Sequence, residues 1–137
     1  YVDDLAARFA ADCTLIRHGS PELVELAEAK LAGEEVTVDA VRAAVQPMFD
    51  AANGDRLDTV VLACTHFPLL QDELMEAFRG VAYVHGGPGI ARRIAYLTKD
   101  QSWPSGPTPG IAVFTAPAPK SLLASLVAYG LSEVQSL

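Results

Sequence analysis

Apolar positions recur at helical spacing from the start of the chain. Leu5 and Phe9, with Val2 before them, predict a helix over 3–11. The run Cys-Thr-Leu-Ile over 13–16 predicts a short strand, closed by Gly19-Ser20-Pro21. Ser20 is placed to cap a second helix, with Pro21 in the first turn, where its missing N–H costs nothing. Leu23, Val24, Leu26, Ala27 and Leu31 give that helix its apolar stripe, and Gly33 ends it. A third helix is predicted over 38–52 from Val38, Val41, Val45, Met48, Phe49 and Ala52, with Pro47 expected to kink or split it. The β-branched, nearly all-apolar run over 57–64 is the clearest strand, and its continuity suits a central parallel strand buried on both faces. Then follow a helix over 68–79, a strand over 81–84, a helix over 88–98 and a loop over 99–110 with three prolines and two glycines. A strand over 111–114, a helix over 120–129 and a last strand over 133–137 complete the pattern. Alternating strands and helices predict an α/β fold: a mainly parallel sheet flanked by helices.

Composition narrows the function classes. The chain has 137 residues, half of them hydrophobic and 20% charged, enough for a buried core. Asp and Glu outnumber Lys and Arg by 17 to 10, a net charge of −7 that disfavours sequence-independent nucleic-acid binding. No apolar run approaches the roughly 18 residues of a membrane span. Two cysteines, Cys13 and Cys64, are too few for a disulfide scaffold, and the three histidines show no zinc spacing. A cytoplasmic protein without nucleic-acid or membrane partners is expected. The chain opens on Tyr1, and its first residues read as the start of a helix, so a piece that begins inside a domain is expected.

In parallel sheets ligands sit beyond the carboxyl ends of the strands. That rule points to the turns at 17–21, 64–68 and 85–89. The second holds Cys64-Thr65-His66-Phe67-Pro68. A helix N-terminus after the strand would favour an anion there, a thiolate included. His66 is placed to exchange a proton with the thiol or a substrate, and Thr65 offers a hydroxyl and an N–H to a carboxylate. A cysteine after an apolar strand is commonly a small core residue, and a histidine at a helix start commonly a cap. The residues alone leave Cys64 as core residue, nucleophile, proton-transfer base or redox thiol.

The stretch Val61-Leu62-Ala63-Cys64-Thr65-His66-Phe67-Pro68-Leu69-Leu70 resembles the second signature of glutamate racemases, a Gly-Cys-Thr-His-Tyr-Pro-Leu-Leu block, with Ala63 for Gly and Phe67 for Tyr. Weaker resemblance runs through 21–28, through Gly87-Pro88-Gly89-Ile90-Ala91-Arg92-Arg93 and through Tyr1. The resemblance implies cofactor-independent interconversion of L- and D-glutamate for peptidoglycan synthesis. Two cysteines would act on opposite faces of the substrate α-carbon. Cys64 matches the second catalytic cysteine, and Thr65 and His66 match substrate contacts. His66 also matches a residue assisting proton transfer, and Glu28 a carboxylate near the cysteine. No metal, flavin or pyridoxal phosphate is implied, and a homodimer of the full-length enzyme is a compatible assembly. On this reading residues 1–85 form the second α/β domain of the enzyme, truncated at its N-terminus. Residues 86–137 return to a first domain that is otherwise absent, so Ile111, Val113 and Phe114 are expected to be uncovered.

There are departures. The first catalytic cysteine and the Asp-Ser and Asn-Thr substrate motifs of the family have no counterpart here. Cys13 matches a cysteine without a catalytic role, His85 stands where the family usually has Asp, and Thr115-Ala116-Pro117 lacks the family's glycine-acid ending. The glycines around Pro88 lack the pattern of a phosphate loop. His18 reads as a polar loop residue, Arg92 and Arg93 as solvated helix charges, and Trp103 as a packing anchor or interface residue. Two other readings stay open: a racemase of aspartate or a related acid, and a non-catalytic fragment that binds a partner.

Overall fold

A computed structural model describes residues 1–118 and 120–137. The elements run α1 (Val2–Phe9), α2 (Pro21–Leu31), α3 (Val38–Phe49), β1 (Thr59–Leu62), α4 (Gln71–Ala77), β2 (Ala82–His85), α5 (Gly87–Leu97), β3 (Gly110–Phe114), α6 (Lys120–Ala128) and β4 (Leu131–Ser136). Every strand pairing is parallel, as the alternation requires. The strands form two separate pairs, β1 with β2 and β3 with β4.

The core lies between α2, α3, α4 and the inner face of β1. Leu23, Ala27, Val41, Val45, Met48, Leu62, Leu70 and Leu74 form one buried cluster. The rings of Phe49 and Phe78 stack at 3.8 Å beside it, and the Lys30 ammonium donates to both carboxylate oxygens of Glu73, at 2.6 and 2.8 Å, joining α2 to α4. Ser20 caps α2 as its position predicts, its hydroxyl accepting the Leu23 N–H at 3.1 Å. Helix α3 is not split by Pro47: it continues to Phe49. The proline sits in the last turn, where the helix is about to end and the lost hydrogen bond matters least. Asn53, at φ 68°, and Gly54 then form the stop that their dipeptide predicts. A side chain at Gly54 would fall 2.1 Å from the Phe49 carbonyl oxygen, so this turn admits only glycine.

Three expectations are corrected. Residues 13–16 form no strand. A strand needs ladder hydrogen bonds to a neighbour, and although the run lies near Leu57–Thr59, its one backbone bond among the described residues is Cys13 N–H to the Ala10 carbonyl. β1 is buried on one face only: Val60 and Leu62 turn inward while Val61 is 65% exposed. The predicted helix after β1 opens as a 3-10 turn over Phe67–Leu70 before α4 begins, so no long helix points its N-terminus at Cys64.

The remaining elements carry uncovered apolar surface. Helix α5 buries none of its residues, and Ile90, Ile94 and Leu97 are exposed along it. Ile111 and Val113 are exposed on β3 as expected, whereas Phe114 is half-buried. None of the described helices is long and apolar enough to cross a membrane.

Candidate active site

The site is built where β1 ends. Leu62 is buried and fixes the strand against α2 and α4. The chain then leaves the sheet, and the N–H groups of Phe67 and Leu69 close tight turns onto the carbonyls of Cys64 and His66. This places the Cys64 side chain, half-buried, at the carboxyl end of the parallel pair.

Cys64 and His66 meet. The Cys64 Sγ lies 3.6 Å from Nδ1 of His66, and Nε2 of the same ring lies 3.4 Å from Oε1 of Glu28 on α2. The thiol can donate to Nδ1 of the neutral ring, which then carries its proton on Nε2, on the side of Glu28. Cys64, His66 and Glu28 thus lie in line, an arrangement that can pass a proton. The ring can take the thiol proton through Nδ1, and the carboxylate faces the ring that then bears the positive charge. Thr65 lies exposed between them, with its hydroxyl free of partners among the described residues.

The other singled-out residues lie apart from this chain. His18 donates from Nε2 to the Ala44 carbonyl at 3.0 Å, tying its loop to α3, a structural strut consistent with its loop reading. Cys13 is exposed, with its thiol 3.7 Å from a carboxylate oxygen of Asp12, whose negative charge pushes the thiol pKa up. Trp103 is 66% exposed and borders a shallow pocket with Ala91, Ile94 and Ala95 of α5. Arg93 lies over the ring of Tyr96, exposed on α5. Among the described residues no group of His, Cys, Asp and Glu side chains gathers as a metal site.

No family model matches the chain. Individual proteins do. A glutamate racemase of Sphingopyxis alaskensis is 54% identical over 140 residues, covering 100% of this chain and 52% of the relative. The glutamate racemase of Escherichia coli strain K12 is 40% identical over 141 residues, again covering the whole chain and 49% of the relative. A crystal structure of E. coli glutamate racemase in complex with L-glutamate and the activator UDP-MurNAc-Ala superposes with a TM-score of 0.82 at 41% identity, over 100% of this chain and 52% of that one. The chain is related to the glutamate racemases along its whole length. It spans about half the length of the curated relatives it matches. Its α/β architecture, with parallel strands and flanking helices, is that of the corresponding part of the racemase fold. Glu28 is the site residue that sequence spacing alone did not single out: it lies on a helix 36 positions before Cys64, and only the folded arrangement of α2 beside the turn brings it to His66.

Proposed function

We propose that this chain supplies one half of a glutamate racemase: the half that holds one of two proton-transferring cysteines. The carrying observation is the chain of contacts from Cys64 through His66 to Glu28 at the carboxyl end of β1. In one direction the Cys64 thiolate takes the α-proton of glutamate, and the bonding pair stays on the α-carbon as a carbanion. A second thiol, from the half not included in this chain, delivers a proton to the opposite face. In the reverse direction Cys64 is the donor, and each turnover leaves the two thiols with exchanged protonation. His66 relays the proton of Cys64, and the Glu28 carboxylate balances the ring's charge. Thr65 contributes its hydroxyl to a substrate carboxylate. Glutamate is favoured over aspartate because the relatives of known name are glutamate racemases. D-glutamate formed in this way feeds peptidoglycan synthesis in the cytoplasm.

Within this reading residues 1–85 belong to the second α/β domain, and residues 86–137 pack onto the first. The separate β3–β4 pair and the bare apolar face of α5 support that division. The test is reconstitution. The chain alone, incubated with L-glutamate and followed by circular dichroism, is expected to be inactive. The chain mixed with the remaining half of the Sphingopyxis alaskensis racemase is expected to racemise, and to lose that activity with Cys64→Ala. Steady turnover by the chain alone, or a mixture indifferent to Cys64, overturns the proposal.

A further inference from the structure

The turn after β2 carries a second imidazole that the mechanism above does not use. In the parallel register of β1 and β2, Leu62 and His85 are Cα partners. Both therefore project from the same face of the pair. That face is the inner one: Leu62 is buried, and the alternation along β2 leaves Ala82 and Val84 exposed and Tyr83 and His85 half-buried. Beyond Leu62 the alternation persists, with Ala63 exposed and Cys64 half-buried. His85 thus stands one strand over from Cys64 and two residues short of it. Cys64 follows two residues after Leu62, in the bend by which the chain leaves the strand, so both side chains lie at the carboxyl end of the pair.

The His85 ring is held in place. Its Nδ1 accepts the Gly87 N–H at 3.2 Å. A side chain at Gly87 would fall 2.9 Å from both Cε1 and Nδ1 of the ring, so the ring rests on bare backbone. With Nδ1 occupied as an acceptor, the neutral ring carries its proton on Nε2. That N–H has no partner among the described residues and no carboxylate paired with it, in contrast to His66, whose Nε2 faces Glu28. A fixed, unpartnered donor beside a proton-transfer thiol suits an anionic group of the substrate.

We infer that His85 is a substrate-binding residue, its Nε2–H donating to a carboxylate of the amino-dicarboxylate that Cys64 acts on. The inference rests on the reading of the Cys64 turn as a racemase half-site. The experiment titrates the ¹⁵N-labelled 137-residue chain, mixed with the unlabelled remaining half of the Sphingopyxis alaskensis racemase, with L-glutamate and reads the backbone amides of Thr65 and His66 together with the ring nitrogens of His85. Saturation is expected to move all three. His85→Ala is expected to raise the dissociation constant about tenfold, the scale of one hydrogen bond to a charged group. His85→Gln, which keeps a donor, is expected to recover most of that loss. Gly87→Ala displaces the ring while leaving the histidine in the chain, and is expected to weaken binding as His85→Ala does. If Thr65 and His66 respond while His85→Ala binds as tightly as the parent, the inference fails and the half-site reading stands. If Thr65 and His66 do not respond either, the half-site reading fails, and the inference with it.

Discussion

His66 and Glu28 face each other across 3.4 Å, joining the turn after β1 to the middle of α2. Both side chains are substantially open, at 36% and 65% exposure, so in this chain alone the pair contributes little to stability. Its consequence is chemical. The carboxylate lies beside Nε2 of the ring and leaves Nδ1 toward Cys64.

In the reconstituted enzyme His66→Asn is therefore expected to lower kcat by about a hundredfold or more, the range of positioned acid–base groups, with a smaller change in KM. The loss should be larger in one direction of racemisation, because His66 serves one cysteine. Glu28→Gln keeps the shape and removes the charge, and about a tenfold loss in the same direction is expected. Initial rates from each enantiomer measure both, and equal rates for parent and His66→Asn would leave His66 as a turn residue.

Cys64 is expected to act as a base rather than a covalent nucleophile. Both carboxylates of glutamate are anionic and resist attack, whereas the α-proton is available. Cys64→Ser keeps the shape but makes the anion far more basic, so racemisation should fall by orders of magnitude. In deuterated water the product enantiomer of the parent enzyme should carry deuterium at the α-carbon. Mass spectrometry of each isolated enantiomer checks this, and a glutamyl thioester on Cys64 would contradict it.

Cys13 offers a contrast measurable in the chain alone. The charge of Asp12, with lesser contributions from burial and Asp58, raises its pKa above the ordinary thiol value. Alkylation proceeds through the thiolate, so Cys13 should react with iodoacetamide at pH 8 more slowly than a free cysteine. Asp12→Asn should quicken it, as peptide mass mapping would reveal.

Tyr83 ties β2 to α4, its hydroxyl donating to the Leu74 carbonyl at 3.0 Å, and burial pushes its pKa up. The unfolded chain releases this proton near pH 10 while the folded chain keeps it longer. The contribution to stability is thus whole below about pH 10 and is lost as pH rises through the folded value. Urea unfolding between pH 8 and 11 should show stability falling at the alkaline end, less steeply in Tyr83→Phe. At neutral pH that variant should lose about 1 kcal/mol. The cost stays small because the Leu74 carbonyl still accepts the Phe78 N–H.

Much of the fold was legible because local signals and packing agree. Ser20-Pro21 begins α2, Leu70 and Leu74 face inward at helical spacing, and every strand lies within a few residues of its apolar run. The misread strand and the one-sided burial of β1 come from apolar runs whose burial is only partial: Ile16 packs against the core while Cys13 is exposed, and Val61 stays open on the outer face of β1. The Cys64–His66 pair was legible from spacing, since two residues across a turn must be near neighbours. Glu28 was legible only through the family resemblance of 21–28, and the setting of His85 was not: a register between two strands is a tertiary fact with no local mark in the sequence.

The two parallel pairs carry one further consequence. With two strands in each, no strand among the described residues has a neighbour on both sides, so each is an edge. Each presents a row of backbone donors and acceptors to any extended segment that comes alongside. Like net charges of −7 on two copies of the chain oppose such pairing. That repulsion is screened within about 8 Å at physiological salt and within less as salt rises. Open edges of this kind are templates for self-addition, opposed by electrostatics instead of by closure.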